Sequence, residues 1–137
     1  HAMARVTVKL VEGSGVSAEE VDQATIILKN MAIRCTRKYS GDTETDVTLR
    51  DDIIPRKSDS SGTNTFYALV PPHSVGNGLE IEITVSGKVI SYKTMELKYL
   101  VSGNEYLITL TLTNSGGGVS ADSGSGDNYS PGGGIDY

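Results

Sequence analysis

The chain is poor in the residues that usually carry chemistry or brace a small extracellular fold. It has one cysteine, Cys35, so no disulfide can close within it, and stability has to come from a buried core. Tryptophan is absent and only two histidines occur, His1 and His73. The first absence removes the commonest sugar-stacking side chain, and the second leaves few candidates for a general base. Basic residues number 12 against 17 acidic ones, for a net charge of −5, which argues against nucleic acid or an anionic membrane surface as a partner. No apolar run is long enough to cross a bilayer as a helix.

What the chain does contain is alternation. Val6, Val8 and Leu10 are interleaved with Arg5, Thr7 and Lys9. The same period of two returns at Ala24, Ile26 and Leu28, at Phe66, Ala68 and Val70, at Leu79, Ile81, Ile83 and Val85, and at Tyr106, Ile108, Leu110 and Leu112. Each run places one face on a core and the other in water, as a two-layer antiparallel sheet requires. Gly13-Ser14-Gly15, Ser86-Gly87 and Ser102-Gly103-Asn104 punctuate the runs, and 79–85 with 88–93 reads as a hairpin. Weaker strands are expected at 31–36, 46–50 and 96–100, with polar exposed loops at 40–46 and 55–64. The total of about seven or eight strands predicts an all-β, antiparallel sandwich of immunoglobulin-like or transthyretin-like type. One short helix is expected after Ser17, because Ser17 and Glu20 are spaced as a capping box.

The predicted core is Val6, Val8, Leu10, Ile26, Leu28, Phe66, Ala68, Val70, Leu79, Ile81, Ile83, Val85, Tyr106, Ile108, Leu110 and Leu112. Composition changes at residue 114, where glycine and serine take over and aliphatics become scarce. Such a stretch buries too little apolar surface to offset its ordering entropy. The organisation expected is a sandwich over 1–113 followed by a flexible Gly/Ser-rich tail over 114–137.

No catalytic, cofactor or metal site emerges. Cys35 lacks a sequence signal pairing it with His1 or His73, and a half-buried strand cysteine is the plainer reading. Glu80 and Glu82 share one side of a strand, but that side is the one facing water. Asp42, Glu44 and Asp46 alternate on a loop, with Asp51, Asp52 and Asp59 nearby, yet no calcium-loop spacing is present, and Gly133-Gly134-Ile135-Asp136 is only a fragment of a calcium repeat. The glycines at 116–118, 124, 126 and 132–134 do not join a strand to a helix, so no phosphate loop is expected. Asn128-Tyr129-Ser130 fits a glycosylation acceptor but is followed by Pro131. Tyr39, Tyr99, Tyr129 and Tyr137 are the aromatics that could stack on a sugar. The residues alone thus point to a structural or binding module rather than an enzyme.

Several phrases, in order, resemble the C-terminal domain of the fimbrillin family of Bacteroidales, the Mfa-like surface proteins. They are the opening His1-Ala2-Met3-Ala4-Arg5-Val6-Thr7-Val8-Lys9-Leu10, then Ala24-Thr25-Ile26-Ile27-Leu28-Lys29-Asn30, then Tyr67-Ala68-Leu69-Val70-Pro71-Pro72-His73-Ser74-Val75, and last Gly103-Asn104-Glu105-Tyr106-Leu107-Ile108-Thr109-Leu110-Thr111-Leu112. The resemblance covers residues 1–113. It implies a transthyretin-like sandwich, export as a lipoprotein to the outer membrane or a fimbria, and a structural or adhesive role in a pilus. It also implies an N-terminal domain, a signal and an anchor upstream of this stretch. Partners would be other pilus subunits joined by strand addition, or a host or bacterial surface ligand, with no cofactor. Members often place a tryptophan after the last strand; here Tyr129 is the candidate for that place, and the Gly/Ser-rich tail makes a poor donor strand. A tip, anchor or accessory subunit is therefore expected before a shaft subunit, and a carbohydrate-binding surface module is the alternative.

Overall fold

The alternating runs become strands because β-branched and aromatic residues pack well on a pleated, half-buried surface. In a computed structural model, residues 3–37, 43–45, 49–58, 64–75, 78–95, 97–114, 116 and 118–123 are described. One sheet contains β1 (Ala4–Glu12), β7 (Thr65–Val70), β12 (Glu105–Asn114), β6 (Arg56–Lys57) and β13 (Val119–Ser123), in the order β13-β12-β1-β7-β6. The facing sheet contains β2 (Thr25–Ala32), β5 (Arg50–Ile53), β9 (Leu79–Val85) and β10 (Lys88–Thr94), in the order β10-β9-β2-β5. Two small two-stranded sheets complete the molecule. They pair β3 (Cys35–Arg37) with β4 (Thr43–Thr45), and β8 (His73–Ser74) with β11 (Tyr99–Leu100).

The fold is an all-β sandwich, as the periodicity predicts. All the predicted core side chains are buried between the two sheets. One pairing departs from the antiparallel expectation: β1 and β12 run parallel, in unbroken register from Arg5 with Glu105 to Glu12 with Leu112. Parallel partners are never joined by a tight turn, so no local sequence signal announces them.

Residues Ser86 and Gly87 turn the β9–β10 hairpin, both at positive φ, which suits the twist of a two-residue hairpin. The helix α1 (Ala18–Gln23) has the expected cap: the Glu20 amide donates to Ser17 Oγ at 3.2 Å, and the Ser17 amide donates to Glu20 Oε1 at 3.1 Å. Buried Val21 fixes the helix over the core, and the free oxygen of Glu20 accepts from Ser86 Oγ at 2.6 Å. These bonds to the ionised form hold the Glu20 carboxyl below its usual range, the Ser86 bond first.

Three details correct the predicted element map. In β2 the alternation breaks at Asn30, which sits at φ 53 where the register with β5 shifts. That bulge changes which parity faces inward, so Met31 joins Ile26 and Leu28 in the core. The loops expected at 40–46 and 55–64 contain β4 and β6. The sheet also runs past the expected boundary at 113/114, because β13 pairs antiparallel with β12 from Asn114 with Val119 to Leu110 with Ser123. Residues 124–137 of the expected tail lie outside the described residues.

Candidate functional site

Among the described residues, the side chains that could carry chemistry have structural partners at His73, Glu80 and Glu82. His73 is 1% exposed, and both ring nitrogens are engaged. Its Nδ1 donates to the Pro71 carbonyl at 2.7 Å, and its Nε2 accepts the Ala32 amide at 3.3 Å. No lone pair remains to serve Cys35, whose half-buried sulfur lies 3.6 Å from Met3 Sδ. Among the described residues, then, His73 and Cys35 do not form a dyad, and His1 lies outside them.

Burial is the leading reason the His73 pKa sits below 6.5; the Pro71 bond opposes the shift and the Arg50 charge adds to it. The folded state therefore holds the neutral ring, while the unfolded chain takes up the proton first on acidification. Stability is expected to be complete at neutral pH and to fall as the pH drops through and below 6.5. Urea midpoints at neutral and mildly acid pH should show this loss in the wild type and a flatter profile in His73→Gln. An equal slope in both would assign the loss to other groups.

Glu80 and Glu82 are parts of a charge ladder on the outer face of the second sheet. Lys93, Glu80 and Lys29 are register neighbours across β10, β9 and β2. Lys29 Nζ lies 2.8 Å from Asp52 Oδ2 and 3.8 Å from Glu82 Oε2. The Lys29 hydrogen bond keeps Asp52 ionised to lower pH than usual, and the same bond raises Lys29. Glu80 accepts from Ser91 Oγ at 2.9 Å. Charges of alternating sign thus stand side by side on this face, as cross-strand pairs of a solvated sheet surface do.

Among the described residues no three His, Cys, Asp or Glu side chains gather as metal ligands. Asp42, Asp46 and Asp59 lie outside those residues, as does the Glu44 side chain. Asp51 accepts the Asp52 amide at 2.8 Å. Gly116 and Gly118 stand at positive φ in the turn from β12 to β13. Glycines 117, 124, 126 and 132–134, the Asn128-Tyr129-Ser130 triplet, and Tyr39, Tyr129 and Tyr137 fall outside the described residues. Tyr99 alone of the four sugar-stacking candidates is described, and it is exposed.

The chemistry that remains available is that of strand edges. On one side of the sandwich the edges are β5 and β6, both short and charged, with Arg50, Asp51, Asp52, Arg56 and Lys57 on them. Short charged edges resist pairing with another chain. On the other side, β10 of one sheet lies against β13 of the other. Ile90 and Tyr92 of β10 and Val119 and Ala121 of β13 are only partly buried there, where they pack on the core from its margin. Among the described residues β10 is an edge strand, its middle, Val89-Ile90-Ser91-Tyr92, is uncharged, and Val89 is 61% exposed on its outer face. Lys88 and Lys93 bracket that stretch. The geometry offers ladder hydrogen bonds and an adjoining apolar seam, the two elements of strand addition. Hydropathy could mark Val89 as apolar, but only the strand order shows that it stands on an edge.

Comparisons with known proteins agree with this architecture. A cell adhesion protein proposed for Bacteroides uniformis ATCC 8492 superposes with a TM-score of 0.73 at 17% identity, over 90% of this chain and 50% of that one. Another, from Bacteroides ovatus ATCC 8483, gives 0.65 at 13% identity, covering 91% and 44%. A third, from Bacteroides fragilis NCTC 9343, gives 0.58 at 17%, covering 90% and 45%. The chain thus spans about half the length of each of these structures or a little less. No curated protein sequence matches it. The family model for fimbrillin-like proteins matches residues 1–125, the whole described sandwich with β13 included, and the chain belongs to that family.

Proposed function

We propose that this chain is part of a structural or adhesive subunit of a cell-surface fimbria, and that it meets its neighbours at the β10 edge. Family membership supports the appendage role, and the uncharged β10 edge beside the half-buried seam supports the mode of contact. An extended segment from a neighbouring subunit would continue the β10-β9-β2-β5 sheet and set alternate apolar side chains against Ile90 and Tyr92. The role is a tip, anchor or accessory one, held at the outer surface of the cell. β13 itself argues for this over a shaft role, because only Val119 and Ala121 give it apolar grip, too little for a donor strand that must bind a successor firmly.

The test is incorporation of the full-length protein into fimbriae. A lysine at Val89 puts a charge on the accepting edge without touching the core. Val89→Lys should lower the amount recovered in sheared fimbriae by about tenfold, the effect of about 1.4 kcal/mol on a single contact. Antibody labelling should mark filament ends or bases rather than a regular repeat. Unchanged recovery with Val89→Lys would remove β10 from the contact, and labelling along the whole filament would make the protein a shaft subunit.

A further inference from the structure

The parallel pair β1–β12 has a property that neither its family nor its edges supply. The chain enters at the start of β1 and leaves the pair at the end of β12, and these two points lie at opposite ends of one continuous ladder. The register runs from Arg5 with Glu105 to Glu12 with Leu112 without a shift. Backbone bonds prolong it at both ends. Gly103 N donates to Met3 O at 2.8 Å and Arg5 N to Asn104 O at 2.9 Å; at the far end Gly13 N donates to Leu112 O and Asn114 N to Ser14 O, each at 2.8 Å. Glu105 Oε2 adds contacts to Arg5 Nε at 3.2 Å and Thr7 Oγ1 at 3.0 Å. Beneath the ladder, Val6, Val8, Leu10, Tyr106, Ile108, Leu110 and Leu112 are all buried.

From this geometry we infer that β1–β12 is a load-bearing clamp, which lets the domain carry tension along the chain. Pulling the start of β1 away from the end of β12 slides two parallel strands past each other along their axes. Every bond of the ladder then shares the load and all must fail together, while the buried side chains have to slide across the core. An antiparallel edge pair loaded at adjacent ends, such as β9–β10 at Glu80 and Lys93, opens instead one bond at a time. β13 is loaded in that weaker way. It folds back on β12, and tension applied beyond Ser123 peels it from the Leu110 end toward Asn114. The domain therefore has a strand that yields early and a seam that holds. The inference does not rest on strand addition at β10, and its readout is force rather than assembly.

Single-molecule pulling on the full chain through terminal handles tests it without any substitution. A short, low-force extension of about 45 Å is expected first, about 30 Å from the stretch Asn114 to Ser123 at roughly 3.3–3.6 Å per residue and about 13 Å more because Ser123 starts level with Leu110. One all-or-none rupture of the rest should follow, at a force about twofold or more above that for handles at Glu80→Cys and Lys93→Cys in a Cys35→Ser background, since forced rupture follows the barrier of the loaded pathway. Stepwise release of single strands in the terminal geometry would overturn the clamp. So would terminal rupture at a force no higher than that for peeling β10. A trace lacking the early extension would overturn the peeling of β13.

Discussion

Leu110→Ala and Ile83→Ala should each cost about 2–5 kcal/mol, the range for truncating a fully buried aliphatic where the neighbours cannot close the gap. Both side chains are 0% exposed, one on an inner strand of each sheet. Leu110 sits on β12 opposite Leu10 of β1 in register, so the cavity would open beside the parallel pair. Ile83 lies between Ile26 of β2 and Ile90 of β10, where two backbones already hold the spacing. Val89→Ala, on the exposed side of β10, should change stability by no more than about 0.5 kcal/mol. Denaturant midpoints read all three. Losses under about 0.5 kcal/mol at both buried sites would contradict the inward facing of β9 and β12.

Gly15→Ala should be costly for a different reason. Gly15 has φ +79, and a Cβ there would overlap the carbonyl oxygen of Asn114. That oxygen is backbone, in the strand pair closed by the Asn114 to Ser14 bond, so it cannot swing aside as a side-chain tip could. The left-handed conformation costs a non-glycine residue about 1–2 kcal/mol, and forced displacement in a packed region adds about 1–3 kcal/mol. Gly87→Ala is the control. Its φ is +76, yet a Cβ would meet nothing within 4 Å, so only the conformational part should appear. Equal losses at the two glycines in urea unfolding would show that the approach to Asn114 carries no weight.

The sequence revealed the layer structure wherever a strand has one wet face and one dry face for its full length. Tyr106 to Leu112 and Leu79 to Val85 are such strands, and their inward residues could be named from spacing alone. Met31 escaped because the Asn30 bulge switches parity inside β2, and a lone asparagine between Lys29 and Met31 does not announce a left-handed residue. Val75, Leu97 and Leu100 escaped because they lie in or beside the short strands β8 and β11, which carry too few residues to show a period, although tertiary contacts bury all three. His73 is hidden in the same way, since its two hydrogen bonds go to Pro71 and to the distant Ala32. β13 offered only Val119 and Ala121 among glycines and serines, a composition that resembles a tail until β12 supplies the partner. The candidate contact site was legible least of all. Whether a strand is central or at an edge is a property of topology, and the alternation of β10 would look the same in either place.

The pairing of β1 with β12 also governs when the fold can form. Thr7 and Glu105, joined by a side-chain hydrogen bond, are 98 positions apart in the chain. Until β12 has emerged, β1 has only β7 beside it, and the first sheet lacks β12 and β13. Closing so large a loop precedes the contacts that reward it, which places this domain among slow-folding, high-contact-order β proteins. During that delay the unpaired edge of β1 and its row of valines are open to other chains. The first sheet is therefore completed only when β12 reaches β1, a late event in the folding of this domain.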